Sequence, residues 1–207
     1  MRPTTNTEKY ASDRVDFRAE DGAGPTCDAR RETIRFAVGD SSLGKILVAV
    51  TATGICAILF GDSADAMAHD LQDRFPSAEL IEGGADLHRT LTRVLALIEA
   101  PASGVDLPLD LRGTPFQRRV WQALREITPG ATASYSEIAE RIGAPAEAYA
   151  VGEACAANPI AVAIPCHRVL RKNGELAGYR WGLRRKRTLL AREAEGGKGL
   201  PRFRGMQ

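Results

Sequence analysis

The first half of the chain carries the alternation and the short apolar runs that are typical of β-strands. Residues 34–38 alternate only loosely between apolar and polar side chains, whereas residues 45–50 and 54–60 are apolar, rich in β-branched residues and bounded by glycine. Runs of this length and composition predict three strands that pair as an antiparallel meander.

Helical periodicity follows the third predicted strand. Ser63 offers an N-cap for a helix that Pro76 ends, and apolar residues at helical spacing predict a second helix over residues 87–98. Residues 107–111 alternate again and predict a short edge strand. Residues 33–111 are therefore expected to form a small α/β domain, in which no residue pattern points to catalysis.

The second half, residues 112–195, is predicted to be mainly helical. Residues 114–117 (Thr-Pro-Phe-Gln) have the pattern of a capping box with proline at the first helical position. Residues 134–137 can cap a short helix that ends near Gly143, and a further helix is expected over residues 145–157. Two short helices joined by a glycine-containing turn indicate a helix-turn-helix.

Composition narrows the class of protein. With 44% hydrophobic and 26% charged residues, the chain is expected to be globular with a real core. No apolar run reaches transmembrane length and no secretory signal is visible, so no membrane partner is expected. The four cysteines show no framework spacing, which favours a reducing, cytoplasmic location. Residues 1–32 and 196–207 are rich in charge and glycine, and we expect a disordered leader and tail there.

The net charge of +2 conceals an asymmetry. Residues 1–113 contain 12 Lys/Arg and 18 Asp/Glu, a net charge of −6, whereas residues 114–193 contain 13 and 7, a net charge of +6. Nine basic residues and one acidic residue, Glu175, lie within residues 168–192, which include most of the last predicted helix at about 183–194. This asymmetry favours contact with a nucleic acid or a membrane surface, and a solvated basic face is the alternative.

The strongest chemical signal is the run Pro165-Cys166-His167-Arg168, which places a thiol next to an imidazole and ahead of the basic segment. Cationic surroundings favour the thiolate, the nucleophilic form of cysteine, so Cys166 is predicted to be activated for covalent chemistry on a polyanion. Residues 160–164 are expected to be extended, and neighbours in an extended segment point to opposite sides. His167 is therefore expected to act on Cys166 through a water molecule, with a carboxylate orienting the imidazole.

Two other interpretations of Cys166 stay open at this point. It could be an inert buried cysteine, although Cys56 and Cys155 fit that description better because they lie in apolar and alanine-rich segments. It could also be the nucleophile of a Cys–His hydrolase. The histidines and cysteines lack the spacing of a zinc site, so neither a metal nor another cofactor is predicted.

The residues around this motif resemble those of a known family. The chain contains NPIAVAIPCHRV, preceded by ASYSEIAERIG and followed by GYRWGLRRKRTLLARE. These segments are similar to the O6-methylguanine–DNA methyltransferase family, most closely to the C-terminal half of bacterial Ada, and the similarity runs over about residues 34–195. The zinc-bearing regulatory half of Ada is expected to be absent. The resemblance implies a mixed α+β fold, in which a ribonuclease H-like α/β domain precedes a winged-helix-like helix-turn-helix domain with the alkyltransferase site.

The same resemblance implies an activity. Members of the family bind double-stranded DNA, flip O6-alkylguanine out of the helix and move its alkyl group irreversibly to a cysteine, with O4-alkylthymine as a second candidate substrate. Cys166 would be the alkyl acceptor, His167 the base that acts through water, and Glu193 the carboxylate that orients it. Asn158 would form a hinge before the active-site segment, and Tyr135 would donate its hydroxyl to guanine N3. The family implies a monomer.

The resemblance further implies a surface that binds DNA and the flipped base. Besides Tyr135, its residues would be Ser136, Ala148, Tyr149, Gly152, Arg168, Val169, Tyr179, Arg180 and Lys186. Tyr149 stands where the family usually has an arginine that fills the gap left by the flipped base, and its flat ring could stack there with weaker binding. The alternative functions are a non-catalytic alkylguanine-binding protein, which the presence of Cys166 disfavours, and an Ada-derived transcription regulator, which the expected absence of the regulatory half disfavours.

Overall fold

Three antiparallel strands and one parallel strand form the main sheet. In the computed structural model the spatial order is β3-β2-β1-β4, and the strands are β1 (Thr33–Ser41), β2 (Gly44–Val50), β3 (Ile55–Gly61) and β4 (Glu79–Glu82). The pairs β1–β2 and β2–β3 are antiparallel, which confirms the predicted meander, and β4 joins β1 in parallel. The sequence pattern does not predict β4, because three of its four residues are exposed and no alternation marks a buried face.

The structure describes residues 31–103 and 106–196. The predicted disordered leader, 1–32, and tail, 196–207, fall almost entirely outside these residues. Within the described ranges, no helix is long and apolar enough to cross a bilayer.

Both helices predicted beside the sheet are present. The helix α1 (Ala64–Arg74) is capped by the side chain of Ser63 and contacts β3, and the helix α2 (Ala85–Glu99) contacts β1. The predicted strand over residues 107–111 is wrong, because only Leu109 forms an isolated bridge there, to β3. Proline at position 108 has no N–H with which to continue a ladder.

The second half contains four helices and a small two-stranded sheet. The elements are α3 (Pro115–Arg125), β5 (Ala133–Ser134), α4 (Tyr135–Arg141), α5 (Ala148–Ala157), β6 (Val169–Leu170) and α6 (Leu183–Gly196). Capping boxes at the starts of α3 and α4 confirm those predicted from the sequence. The helix α5 begins later than predicted, because the segment before it closes a turn from Glu147 N–H to the Ala144 carbonyl and Glu147 provides no side-chain cap.

The helix α6 ties the two halves together. Arg185 donates from Nε to the carbonyl oxygen of Leu43 at 2.8 Å, and Arg192 donates from Nη1 to the carbonyl oxygen of Ile98 at 2.7 Å. Residues seven apart lie on the same face of a helix, so both arginines project toward the sheet and its helices. Buried apolar residues from Ile34 to Leu189 form a single cluster, and the fold is therefore a mixed α+β fold with one shared core.

Candidate active site

Cys166 lies in a tight turn rather than in the predicted extended segment. A single 3₁₀ turn spans Cys166–Arg168, closed by the N–H of Arg168 and the carbonyl oxygen of Pro165 at 2.9 Å. The preceding residues also turn, and Val162 has a φ of 65°, a left-handed conformation that costs a β-branched residue free energy. The expectation of an extended approach to Cys166 is therefore wrong, because local backbone hydrogen bonds fold this segment back on itself.

Asn158 holds this turn together. Its Nδ2 donates to the carbonyl oxygen of Ile164 at 3.0 Å and to the sulfur of Cys166 at 3.2 Å. Its Oδ1 accepts from the N–H of Ile160 at 2.9 Å. Because Asn158 is fully buried at the end of α5, it fixes the position of the thiol relative to that helix.

The Cys166 thiol is protonated in the free protein. Burial raises its pKa to about 11, although the hydrogen bond from Asn158 and the charge of Lys186 act in the opposite direction. Burial therefore outweighs the cationic surroundings that, from the sequence, were expected to favour the thiolate. Nucleophilic attack by this sulfur requires a partner that takes its proton.

His167 and Glu193 form a buried pair beside Cys166. The distance from His167 Nε2 to Glu193 Oε1 is 2.8 Å, and neither side chain is exposed to solvent. Burial lowers the pKa of His167, which leaves the imidazole neutral. Burial alone would raise the pKa of Glu193, but hydrogen bonds from His167 and Arg168 outweigh it and lower the pKa to about 2. The other ring nitrogen, His167 Nδ1, is buried and has no hydrogen-bond partner among the described residues.

Two basic residues predicted to contact DNA point into the protein instead. Arg168 is only 7% exposed, and its Nη2 lies 2.9 Å from Glu193 Oε1. Lys186 is fully buried, and its Nζ donates to the carbonyl oxygen of Val169 at 2.6 Å. These contacts correct the prediction for Arg168 and Lys186, because buried donors that are already paired cannot reach a phosphate.

Other members of the basic segment are also paired within the protein. Arg180 bonds Asp70, Arg185 bonds Asp62, and Arg192 bonds Glu99. The basic residues of this segment that are exposed and have no ion pair in the described ranges are Arg171, Lys172, Arg184 and Arg187. The surface charge available to a polyanion is therefore smaller than the count of basic residues indicates.

A cleft of about 390 Å³ opens beside Cys166. Its lining residues are Tyr135, Gly152, Cys155, Ala156, Cys166, Gly178, Tyr179 and Arg180. A wider groove of about 510 Å³ adjoins it, shares Tyr135 and Gly152, and is lined further by Ala148, Tyr149 and Arg171. Ser136, by contrast, lines neither depression. The sequence assigned Cys155 to the core, and nothing in an alanine-rich helix distinguishes a residue that lines a cleft from one that only packs.

Two tyrosines contribute hydroxyl groups to the cleft. Burial raises the pKa of Tyr135 to about 12, so its hydroxyl is a donor at neutral pH. Burial also raises the pKa of Tyr179, whose hydroxyl oxygen has no hydrogen-bond partner among the described residues. Tyr149 is 82% exposed at the start of α5, on the rim of the adjoining groove.

Comparison with known proteins agrees with this geometry. A family model described as 6-O-methylguanine DNA methyltransferase, DNA binding domain, matches residues 115–195. The bifunctional transcriptional activator/DNA repair enzyme Ada of Escherichia coli is 48% identical over 162 residues, which are 78% of this chain and 46% of Ada. The methylated-DNA–protein-cysteine methyltransferase of Mycolicibacterium paratuberculosis is 61% identical over 88 residues, 42% of this chain and 53% of that protein. The chain thus spans about half the length of these curated relatives.

Solved structures extend the likeness to the fold. The crystal structure of Mycobacterium tuberculosis O6-methylguanine methyltransferase superposes with a TM-score of 0.65 at 33% identity, over 79% of this chain and 94% of that chain. The structure of Mycobacterium tuberculosis OGT in complex with DNA gives a TM-score of 0.66 at 34% identity, over 78% and 94% of the two chains. Because the two Mycobacterium tuberculosis structures are matched over nearly their whole length, the chain belongs to the O6-methylguanine DNA methyltransferase family.

Proposed function

We propose that this chain is a methylated-DNA–protein-cysteine methyltransferase, which moves an alkyl group from guanine O6 in double-stranded DNA to Cys166. One observation carries the proposal: a buried, protonated thiol borders an open cleft and sits beside a neutral imidazole that has one unpaired nitrogen. The names of the relatives from Escherichia coli and Mycolicibacterium paratuberculosis support the same chemistry.

The proposed reaction is a single displacement. The thiol proton passes through a water molecule to His167 Nδ1, while Glu193 accepts the Nε2–H hydrogen bond and stabilises the resulting imidazolium. The sulfur of Cys166 forms a bond to the alkyl carbon, the bond from that carbon to O6 breaks, and its electron pair stays on the guanine. Tyr135 donates its hydroxyl to guanine N3, where it stabilises this charge. The thioether is not cleaved again, so each molecule reacts once.

The cleft and the groove beside it are the proposed base-binding site. The reacting carbon is inaccessible in a stacked duplex, so the base must leave the helix and enter the cleft. Gly152 and Ala148 let DNA approach α5 closely, and Tyr149 stacks in the gap that the flipped base leaves. Tyr179, Arg180 and the backbone at Val169 contact the base edges in this proposal. O4-alkylthymine is a second candidate substrate.

Finer features of the fold belong to the same proposal. We assign residues 33–111 to a ribonuclease H-like domain and residues 112–195 to the winged-helix-like domain, with α4 and α5 as its helix-turn-helix. The protein acts as a monomer without a cofactor. A reduced thiol is required, which fits a cytoplasmic location.

The mass of the protein after reaction tests the proposal. The protein is incubated with a duplex that contains O6-methylguanine, and its intact and peptide masses are measured. We expect one added methylene group on the peptide that contains Cys166 and at most one DNA repaired per protein. Cys166→Ser should abolish the mass gain, whereas Cys56→Ala, the matched change at a buried free cysteine in β3, should retain it. An unmodified protein that binds the lesion would support a non-catalytic binder, and repeated turnover would support a hydrolase.

A further inference from the structure

Arg168 lies against the carboxylate that orients His167. Its Nε is 3.0 Å from Glu193 Oε2 and its Nη2 is 2.9 Å from Oε1, so the guanidinium holds both oxygens. Its Nη1 donates to the carbonyl oxygen of Ile127, so all three nitrogens of the guanidinium are hydrogen-bonded. This geometry gives Arg168 a single orientation inside the protein.

Glu193 depends on this contact for its charge. The carboxylate is fully buried, and a buried carboxylate without a cation tends to take up a proton. Its other donors are His167 Nε2 at 2.8 Å and the N–H of Gly130 at 3.2 Å, both of which are neutral. The neighbouring cation, Lys186, directs its ammonium to the carbonyl oxygens of Val169 and Ala177 instead. Among the described residues, Arg168 is thus the cation that is hydrogen-bonded to Glu193.

We propose that Arg168 is a positioning residue that sets the tautomer of His167. A charged Glu193 can only accept a hydrogen bond, so His167 must carry its proton on Nε2 and keep the lone pair of Nδ1 free. A protonated Glu193 could donate to Nε2 instead, and the imidazole proton would then move to Nδ1. In that tautomer Nδ1 cannot accept the thiol proton of Cys166. The inference rests on the proposed function for its consequence, but the tautomer itself can be observed in the free protein.

The tautomer is measured by ¹⁵N NMR of the histidine ring in the labelled full-length protein without DNA, at neutral pH. The signals of His167 are assigned by comparison with His167→Gln. We expect a protonated Nε2 and an unprotonated Nδ1 in the wild type. Arg168→Met should shift the population toward the Nδ1-protonated form and slow single-turnover methyl transfer roughly 100-fold. Arg168→Lys, which keeps the charge, should retain the wild-type tautomer and recover part of the rate.

Arg112→Met is the matched control, because Arg112 also bridges two carboxylates, those of Glu32 and Asp110, away from the cleft. It should change neither the tautomer nor the rate. Arg168→Gln, which stays polar, replaces the methionine variant if that variant does not fold. A folded variant without charge at position 168 that keeps the Nε2-protonated tautomer would overturn the inference. A wild type that lacks transferase activity would overturn the proposed function instead, and the NMR result would still decide the role of Arg168.

Discussion

The amide nitrogen of Asn158 donates at 3.2 Å to the sulfur of Cys166 and at 3.0 Å to the carbonyl oxygen of Ile164. One side chain therefore stabilises the turn that presents the nucleophile and lowers the pKa of that nucleophile. The two effects can be measured by different experiments on the same variant.

Asn158→Ala should both destabilise the protein and raise the pKa of Cys166 further. Loss of the amide leaves the buried N–H of Ile160 without its acceptor, at a cost of about 1–3 kcal/mol in the free energy of unfolding, and removes one of the two donors to the carbonyl oxygen of Ile164. Urea denaturation measures the first effect, and the pH dependence of Cys166 alkylation by iodoacetamide measures the second. Asn173→Ala removes an exposed asparagine whose side chain, within the described part of the chain, accepts a hydrogen bond from the nearby N–H of Glu175, and it should leave both quantities unchanged.

The charge of Glu193 should make the free energy of unfolding decrease as the pH falls below about 5. Its pKa in the folded protein is lowered to about 2, so the unfolded chain takes up this proton first as the pH falls. The stabilisation is complete above about pH 5 and is lost as the pH falls toward 2, by about 3 kcal/mol in all.

Denaturation in urea at a series of pH values from 6 downwards measures this loss. Glu193→Gln should flatten the curve in that window, whatever its effect at neutral pH. Glu175→Gln, at an exposed site in the same half, provides the control. Parallel curves for the wild type and Glu193→Gln would contradict the prediction.

Tyr149 should matter for duplex DNA but not for the chemical step. Stacking of an aromatic ring on a base contributes about 1–3 kcal/mol, so Tyr149→Ala should slow repair of a duplex roughly tenfold or more. Methyl transfer from free O6-methylguanine, which needs no flipping, should be unchanged. Tyr149→Arg should tighten duplex binding, because it adds a positive charge on the rim of the groove. Ile81→Ala, at another exposed apolar residue, is the control, and equal duplex rates for the alanine variants would exclude the stacking role.

The salt dependence of DNA binding should depend on the few basic residues that are exposed and have no ion pair within the described ranges. Each phosphate contact contributes about −0.9 to the slope of log K against log salt concentration. Arg171 is exposed and lines the groove, so Arg171→Ala should make the slope shallower by about one. Arg89→Ala on α2, an exposed arginine paired with Asp86, should leave the slope as it is. Fluorescence anisotropy with a labelled duplex at several salt concentrations gives both slopes.

Local sequence signals account for much of the fold. The capping boxes at Thr114 and Ser134 fix the starts of two helices through hydrogen bonds between residues three positions apart in the sequence. In contrast, β4 depends on pairing with β1, some 46 residues earlier in the chain, and its own residues carry no pattern. The turn at Cys166–Arg168 is likewise formed by backbone hydrogen bonds. The apolar run before it, which ends in proline, does not predict these bonds.

The site shows the same division between local and distant causes. Cys166 and His167 can be recognised from the sequence, because the motif that contains them is one contiguous run of residues. Arg168 points into the interior because it pairs with the carboxylate of Glu193, 25 residues later in the chain. The positive charge of Arg168, considered alone, predicts contact with DNA instead. Cys155 is missed for a related reason, because the cleft wall forms only when α5 and the segment that contains Tyr179 come together.

The two arginines of α6 that reach the sheet have a consequence for how the molecule can be divided. Arg185 and Arg192 each end on a backbone carbonyl of the first half, at Leu43 and Ile98, while Glu193 on the same helix belongs to the site. A cut near residue 112 would remove the acceptors that both guanidinium groups have in the first half and would expose the apolar cluster shared across that boundary. The first half therefore supports the helix that carries Glu193, so the position of this carboxylate depends on residues that lie far from it in the sequence.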